Sequence, residues 1–226
     1  MNLIDMLKDQ IGSTVMNKAA EYLGESSSNT QSAMGSILPA VLGGVINHAS
    51  TTDGAKGLMG LLSNDNTHSG LLGNLGNMLG DSNGFSNIVS MGAPILKMLF
   101  GSKMDSITNL ISGQSGVKQS SVSGLMSMAA PVLMGLLSKK VSSEGLGLSG
   151  LTNFLMGQAS SVKSALPAGF ANQLGFSKLG DFLGDASAKV EMPSTSGGMG
   201  KYLPWIIGLL ALLAALYFLK SCNKIE

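Results

Sequence analysis

The sequence predicts an all-α protein: a compact multihelical domain with an internal duplication, followed by a single C-terminal transmembrane helix. Three observations carry that expectation. Apolar residues recur at helical spacing along most of the chain, with no convincing period-two strand between them. The stretch Ile37-Leu-Pro-Ala-Val-Leu-Gly-Gly-Val-Ile46 returns 92 residues later, without a gap, as Ala129-Ala-Pro-Val-Leu-Met-Gly-Leu-Leu137. Gly24 then falls on Gly116, Met34 on Met126, Pro39 on Pro131 and Gly43 on Gly135. Finally, residues 203–219 run without a charge, as a membrane span does.

In order along the chain, Leu3, Leu7, Ile11, Val15 and Ala19 recur every fourth residue, predicting an amphipathic helix to about Leu23 with Gly24 at its C-cap. Asp5 and Lys8 interrupt the region where a cleaved signal would be apolar, so none is expected. Ser28 and Gln31 have capping-box spacing ahead of a helix over about 29–49 that is apolar all round, the pattern of burial on every side. Pro39 inside it predicts a kink or a helix start, and its counterpart Pro131 predicts the same. Thr52-Asp53 is expected to cap a helix over 54–62. A polar loop over 63–69 follows. Residues 70–84 have helical apolar spacing weakened by five glycines. A helix over 86–100 carries a third proline motif at Ala93-Pro94 and stops at Gly101. Asp105 is expected to cap a short helix to Ile111, and Gly113 and Gly116 to break the chain before a second central helix over about 120–140. Further helices are predicted over 148–166 and 172–186. The domain organisation is therefore 1–186 helical domain, with related units at about 1–62 and 93–155, then 187–201 flexible linker, 202–220 transmembrane helix and 221–226 tail. A 92-residue period is too long for a solenoid, which points to duplication within one domain.

The anchor has interfacial furniture at both ends: Lys201, Tyr202 and Trp205 on one side, Tyr217, Phe218 and Lys220 on the other. Its seventeen uncharged residues span roughly 26 Å as a helix. With no N-terminal signal, the helical domain is placed at the cytoplasmic face of a single-pass protein of the bacterial cytoplasmic membrane.

Composition narrows the chemistry. Charged residues make up 12% of the chain, against about 25% in ordinary soluble domains, and Gly (31) and Met (15) are abundant. Residues 1–200 carry 11 Lys and 12 acids, a net charge of −1, and the whole chain has no Arg. Nucleic-acid and phosphate sites favour arginine's planar fork, so no nucleic-acid partner is expected. The one cysteine, Cys222, excludes an internal disulfide and any multi-cysteine metal site.

Each possible site has a plainer structural explanation. Gly145-Leu-Gly147-Leu-Ser-Gly150 fits G-x-G-x-x-G, but a helix precedes it where a dinucleotide site needs a strand. His48, Asp53 and His68 could be brought together as metal ligands, though His48 near a helix end suits the negative end of the dipole. Asp181 and Asp185 share a helix face without a nearby histidine. No G-x-S-x-G elbow is present, and Cys222 has no partner base. No catalytic, cofactor or metal residue is assigned, and no cofactor is expected. The glycines at 70, 73, 76, 80 and 84 suit close helix contact. Pro39, Gly43, Pro131 and Gly135 are structural repeat residues.

Through Leu38-Pro39-Ala-Val-Leu-Gly43-Gly44, Gly54-Ala-Lys-Gly57-Leu-Met-Gly-Leu-Leu62 and Ala129-Ala-Pro131-Val-Leu-Met-Gly135, the chain resembles the bacterial YidB-like family over most of 1–160. The resemblance implies an all-helical fold with a duplicated motif and supplies no activity. In some relatives a similar domain, linker and membrane helix precede an OmpA-like peptidoglycan-binding domain, where this chain ends at Glu226. The expectation is a non-enzymatic, membrane-anchored interaction or scaffold protein that engages the bilayer through its C-terminal helix and a protein partner, or itself, through its domain. The alternatives are a binder of lipid or another hydrophobic ligand, and a cell-envelope protein related to the OmpA-like group but lacking that domain.

Overall fold

The computed structural model describes residues 2–63, 83–167 and 169–170. They form α1 (Leu3–Leu23), α2 (Ser27–Ala49), α3 (Thr52–Ser63), α4 (Gly84–Phe100), a 3-10 turn (Gly101–Lys103), α5 (Met104–Ser115), α6 (Gln119–Glu144), α7 (Leu148–Gly157) and α8 (Ala159–Ala165). Among the described residues there is no strand. The predicted glycine-weakened stretch as far as residue 82, the helix over 172–186, the linker and the anchor with Lys201, Trp205, Tyr217 and Lys220 lie outside the described residues, as does the loop after Ser63; Gly84, the last of that stretch, begins α4.

Local chemistry sets the helix ends. Asn2 caps α1 by accepting from the Ile4 N–H at 3.0 Å. Gly24, at φ 65°, closes it, with the Glu25 N–H reaching back to the Ala20 carbonyl and the Gly24 N–H to Glu21. That pair of bonds is the Schellman pattern, which needs a left-handed residue. The α2 cap is Ser26, whose hydroxyl accepts from the Asn29 N–H, so it lies two residues before the expected Ser28. Likewise Thr51, one residue ahead of the expected pair, accepts from the Gly54 N–H and starts α3 at Thr52. Asp105 sits in the first turn of α5 without capping it, and Gly113 stays within that helix. Gly116, at φ 72°, is the break. The helix expected over 148–166 is divided at Gln158. Pro39 and Pro131 lie inside α2 and α6, so neither begins a helix.

The core sits around α2 and α6, which pack on each other and on most of the remaining helices. Pro39, Gly43, Pro131 and Gly135 are all buried in these two helices. Among the described helices α6 is the one long and apolar enough to cross a membrane, yet 83% of its most apolar window is buried inside the fold. It is the core helix of the domain.

Three helix ends are satisfied by side chains remote in sequence. The Gln158 amide oxygen accepts from the Leu3 N–H at 3.0 Å, at the start of α1. The Ser138 hydroxyl donates to the Leu62 carbonyl at the end of α3. Glu25, in the α1–α2 turn, accepts from the Lys118 N–H at 3.1 Å just ahead of α6. Each fills one of the unpaired groups every helix end leaves. Hydrogen bonds from the Ser121 side chain and the Lys118 backbone, then the Lys118 charge, hold the Glu25 carboxyl below its ordinary value. A carboxyl with a lowered folded pKa stabilises fully above its unfolded value, and that contribution fades as pH falls through the folded one. Glu25→Gln should therefore flatten the acid side of the stability profile while leaving its alkaline side parallel, as measured by urea midpoints from pH 7 to pH 3.

Thr30 is fully buried, and its hydroxyl has no partner. The residue 92 places on is Val122, equally buried and nearly the same shape. Because an unsatisfied buried hydroxyl costs about 1–3 kcal/mol, Thr30→Val should raise stability by about 1 kcal/mol, read as a higher melting temperature. A fall would mean the hydroxyl is bonded.

Candidate groove between α1 and α2

α1 is not one straight rod. Gly12 stands at φ 53° and ψ 167°, an extended left-handed conformation between two helical halves, and side chains at such angles are strained. Beside the break lies a cavity of about 750 Å³ between the two halves of α1 and the first half of α2. Ile11, Met34 and Leu38 are its buried apolar lining, with half-buried Met16 beside them. Lys8, Ser13, Asn17, Ser27, Ser28 and Gln31 supply the polar part, and Gly12 and Gly35 complete it. A Cβ at Gly35 would meet nothing within 4 Å. The size is typical of a binding cleft. Lined in this way, it suits an amphipathic occupant that buries one face and leaves the other wet.

A smaller cavity of about 290 Å³ lies between α5 and α6, lined by Met104, Asp105, Thr108, Gln119, Ser120 and Ser123. Subtracting 92 from each gives Gly12, Ser13, Met16, Ser27, Ser28 and Gln31, all of which line the larger groove. Two differences help to explain the unequal volumes. The Gln119 amide donates to the Thr108 hydroxyl at 3.1 Å, tying α6 to α5. Ser127, at the position of Gly35, is buried, whereas Gly35 is exposed.

The sequence candidates do not converge. His48 is half-buried near the end of α2, and Asp53 is exposed at the start of α3. The His48 carbonyl accepts from the Thr51 hydroxyl as part of the turn, and His68 is outside the described residues. Among the described residues no three His, Cys, Asp or Glu side chains are placed to hold a metal. The G-x-G-x-x-G glycines form a joint between helices: Gly145 is the left-handed cap of α6, Gly147 precedes α7 and Gly150 lies inside it. Asp181, Asp185 and Cys222 are outside the described residues.

A profile of the family described as "Bacterial protein of unknown function (DUF937)" matches residues 5–140, more than half of the chain. No curated protein and no solved structure matches.

Proposed function

This chain belongs to that bacterial family of unknown function, matched over 5–140, and from that premise we propose a membrane-tethered, non-enzymatic interaction module of the YidB-like kind. The observation that carries the reading is the uncharged stretch 203–219, bracketed by Lys201 and Lys220. Membrane contact falls to it because α6, the described helix apolar enough to compete, is committed to the core. The domain would then stand at the cytoplasmic face of a bacterial membrane on the linker 187–201, engaging a protein partner or a second copy.

The domain's plan is, on this proposal, a duplication. In its support, Gly24 and Gly116, 92 residues apart, each close a helix at φ 65° and 72°, and a long proline-containing helix follows each. The turns also face each other: Glu25 bonds the Lys118 N–H, and Asn29 lies 3.5 Å from where a Cβ on Gly116 would be.

The tether is tested with Leu210→Lys plus Leu213→Lys in the full chain. Each charge near a span's centre opposes insertion by roughly 2.5–3.5 kcal/mol. The double variant should move from the detergent-dependent membrane pellet to the soluble fraction, where wild type stays in the pellet at high salt and alkaline pH. Wild type released by salt alone would overturn the tether.

A further inference from the structure

We infer that the α1–α2 groove receives an acidic amphipathic helix from a partner protein, laid across α2 as α4 is laid across α6. The inference rests on the interaction module and the duplication proposed above, and it names the chemistry of the partner. On the second unit the cover is α4 itself. A Cβ at Gly92 would fall 1.7 Å from the Ser127 carbonyl oxygen, and the Phe85 ring lies 3.7 Å from a Cβ built at Gly124. Backbones that close leave no room between the two helices, so the Gly124–Ser127 face is a seat for a helix.

The first unit has that seat exposed. Subtracting 92 from Gly124 and Ser127 gives Ser32 and Gly35, both exposed. Subtracting 92 from Ile95, Leu96 and Leu99 gives Leu3, Ile4 and Leu7, all buried as their counterparts are. The first half of α1 therefore repeats the second half of α4. α1 starts at Leu3 behind the Asn2 cap, so no residue of it matches Gly84–Pro94, the half of α4 that lies across the seat. Gly35 keeps the α2 backbone open to close approach, since a Cβ there would meet nothing within 4 Å.

The groove beside Gly35 sets what the helix must carry. Buried Ile11, Met34 and Leu38 accept an apolar side chain. The one charge in the lining is Lys8, and no acid belongs to it. Asp9, next in sequence, lines the separate cavity between α1 and α6. Lys8 stands at the position of Phe100, so a buried aromatic on the second unit has become an exposed cation on the first. A helix with one apolar face and an acid on its flank meets both demands. A second copy of this chain meets neither. Among the described residues, the large apolar side chains left exposed are Tyr22 and Met98. The Tyr22 hydroxyl is hydrogen-bonded to Ser86, and Met98 stands beside Lys97, which would bring like charge to Lys8.

The probe is a hydrocarbon-stapled helix with the sequence of Gly84–Pro94, made acidic by Ser90→Glu and Ala93→Glu, both exposed positions of α4. Its basic twin carries Ser90→Lys and Ala93→Lys. Stapling offsets the marginal helicity of so short a peptide. A photoreactive benzoylphenylalanine replaces Ser32 in the full chain, with equal amounts of isotopically light and heavy protein in phosphatidylcholine nanodiscs. The expected product is a saturable cross-link from position 32 to the acidic probe, in about fivefold higher yield than to the basic one. Lys8→Glu alters an exposed side chain, a change that leaves folding nearly untouched, and should reverse that preference. Gly35→Leu should cut both yields about tenfold or more; should it fail to fold, the Lys8→Glu reversal decides. No saturable cross-link to the acidic probe, equal yields from the two probes, or a preference unmoved by Lys8→Glu would overturn the inference. Cross-links within one chain, from light to heavy chains, or to lipid, undiminished by the probe, would also overturn it, assigning the groove to the chain itself, a second copy or the bilayer. The Leu210→Lys, Leu213→Lys chain separates the two claims: loss of the tether leaves the cross-link in the soluble chain, whereas failure of docking leaves fractionation unchanged.

Discussion

Gly92→Ala is expected to lower stability by about 3 kcal/mol or more, a steric penalty at the upper end of what overpacking costs. The added Cβ would meet three backbone atoms of Ser127, at 1.7 Å, 2.6 Å and 2.9 Å. Backbone atoms inside a core helix have no rotamer to retreat into. Either α4 lifts off α6 or α6 bends, and both helices carry buried faces through that contact. Gly44→Ala is the informative comparison. Its Cβ would come within 2.6 Å of the Phe100 ring, and a ring can rotate or slide by a fraction of an ångström. It should cost about 1 kcal/mol. Urea denaturation of the two variants checks the order; equal losses, or a Gly92→Ala loss below that of Gly44→Ala, would contradict the geometry.

Much of the helical order was legible because it depends on neighbours in sequence. Gly24, Gly101 and Gly116 each stop a helix with the positive φ that glycine tolerates best, and the apolar runs around Pro39 and Pro131 became buried helices. What escaped depends on distance. Nothing local to Lys118 announces that Glu25, 93 residues away, will accept its N–H, nor that Gln158 will serve the first turn of α1. The caps at Ser26 and Thr51 were missed for another reason: runs of Ser and Thr offer several equivalent hydroxyls, and only the entry angle of the chain selects one. The groove fell between these cases. Its residues were in view as an apolar ladder and a polar turn, but it lies beside a break at Gly12, and no proline or charge run marked that place.

A signal for the break was nonetheless present in the ladder itself, and it makes Gly12→Ala the second decisive variant. Leu3, Leu7, Ile11, Val15 and Ala19 are all buried, between 0% and 7% exposed. In an unbroken helix of 3.6 residues per turn, a step of four residues drifts by about 40°. Five such positions would wander by about 160° and could not all face one core. The kink at Gly12 resets the drift, so that Leu3 and Leu7 face inward as well as Val15 and Ala19. Gly12→Ala has no steric objection, since a Cβ there meets nothing within 4 Å. Its whole cost is the backbone at φ 53° and ψ 167°, about 1–3 kcal/mol for a side-chain-bearing residue held in such a conformation. Gly35→Ala, in ordinary helix geometry with equally open space, should instead gain about 0.5–1 kcal/mol. Two glycine-to-alanine changes lining one groove are thus expected to move the melting temperature in opposite directions. A stabilising Gly12→Ala would mean that α1 can straighten without losing the burial of its first half, and the groove would then owe its shape to something other than the break.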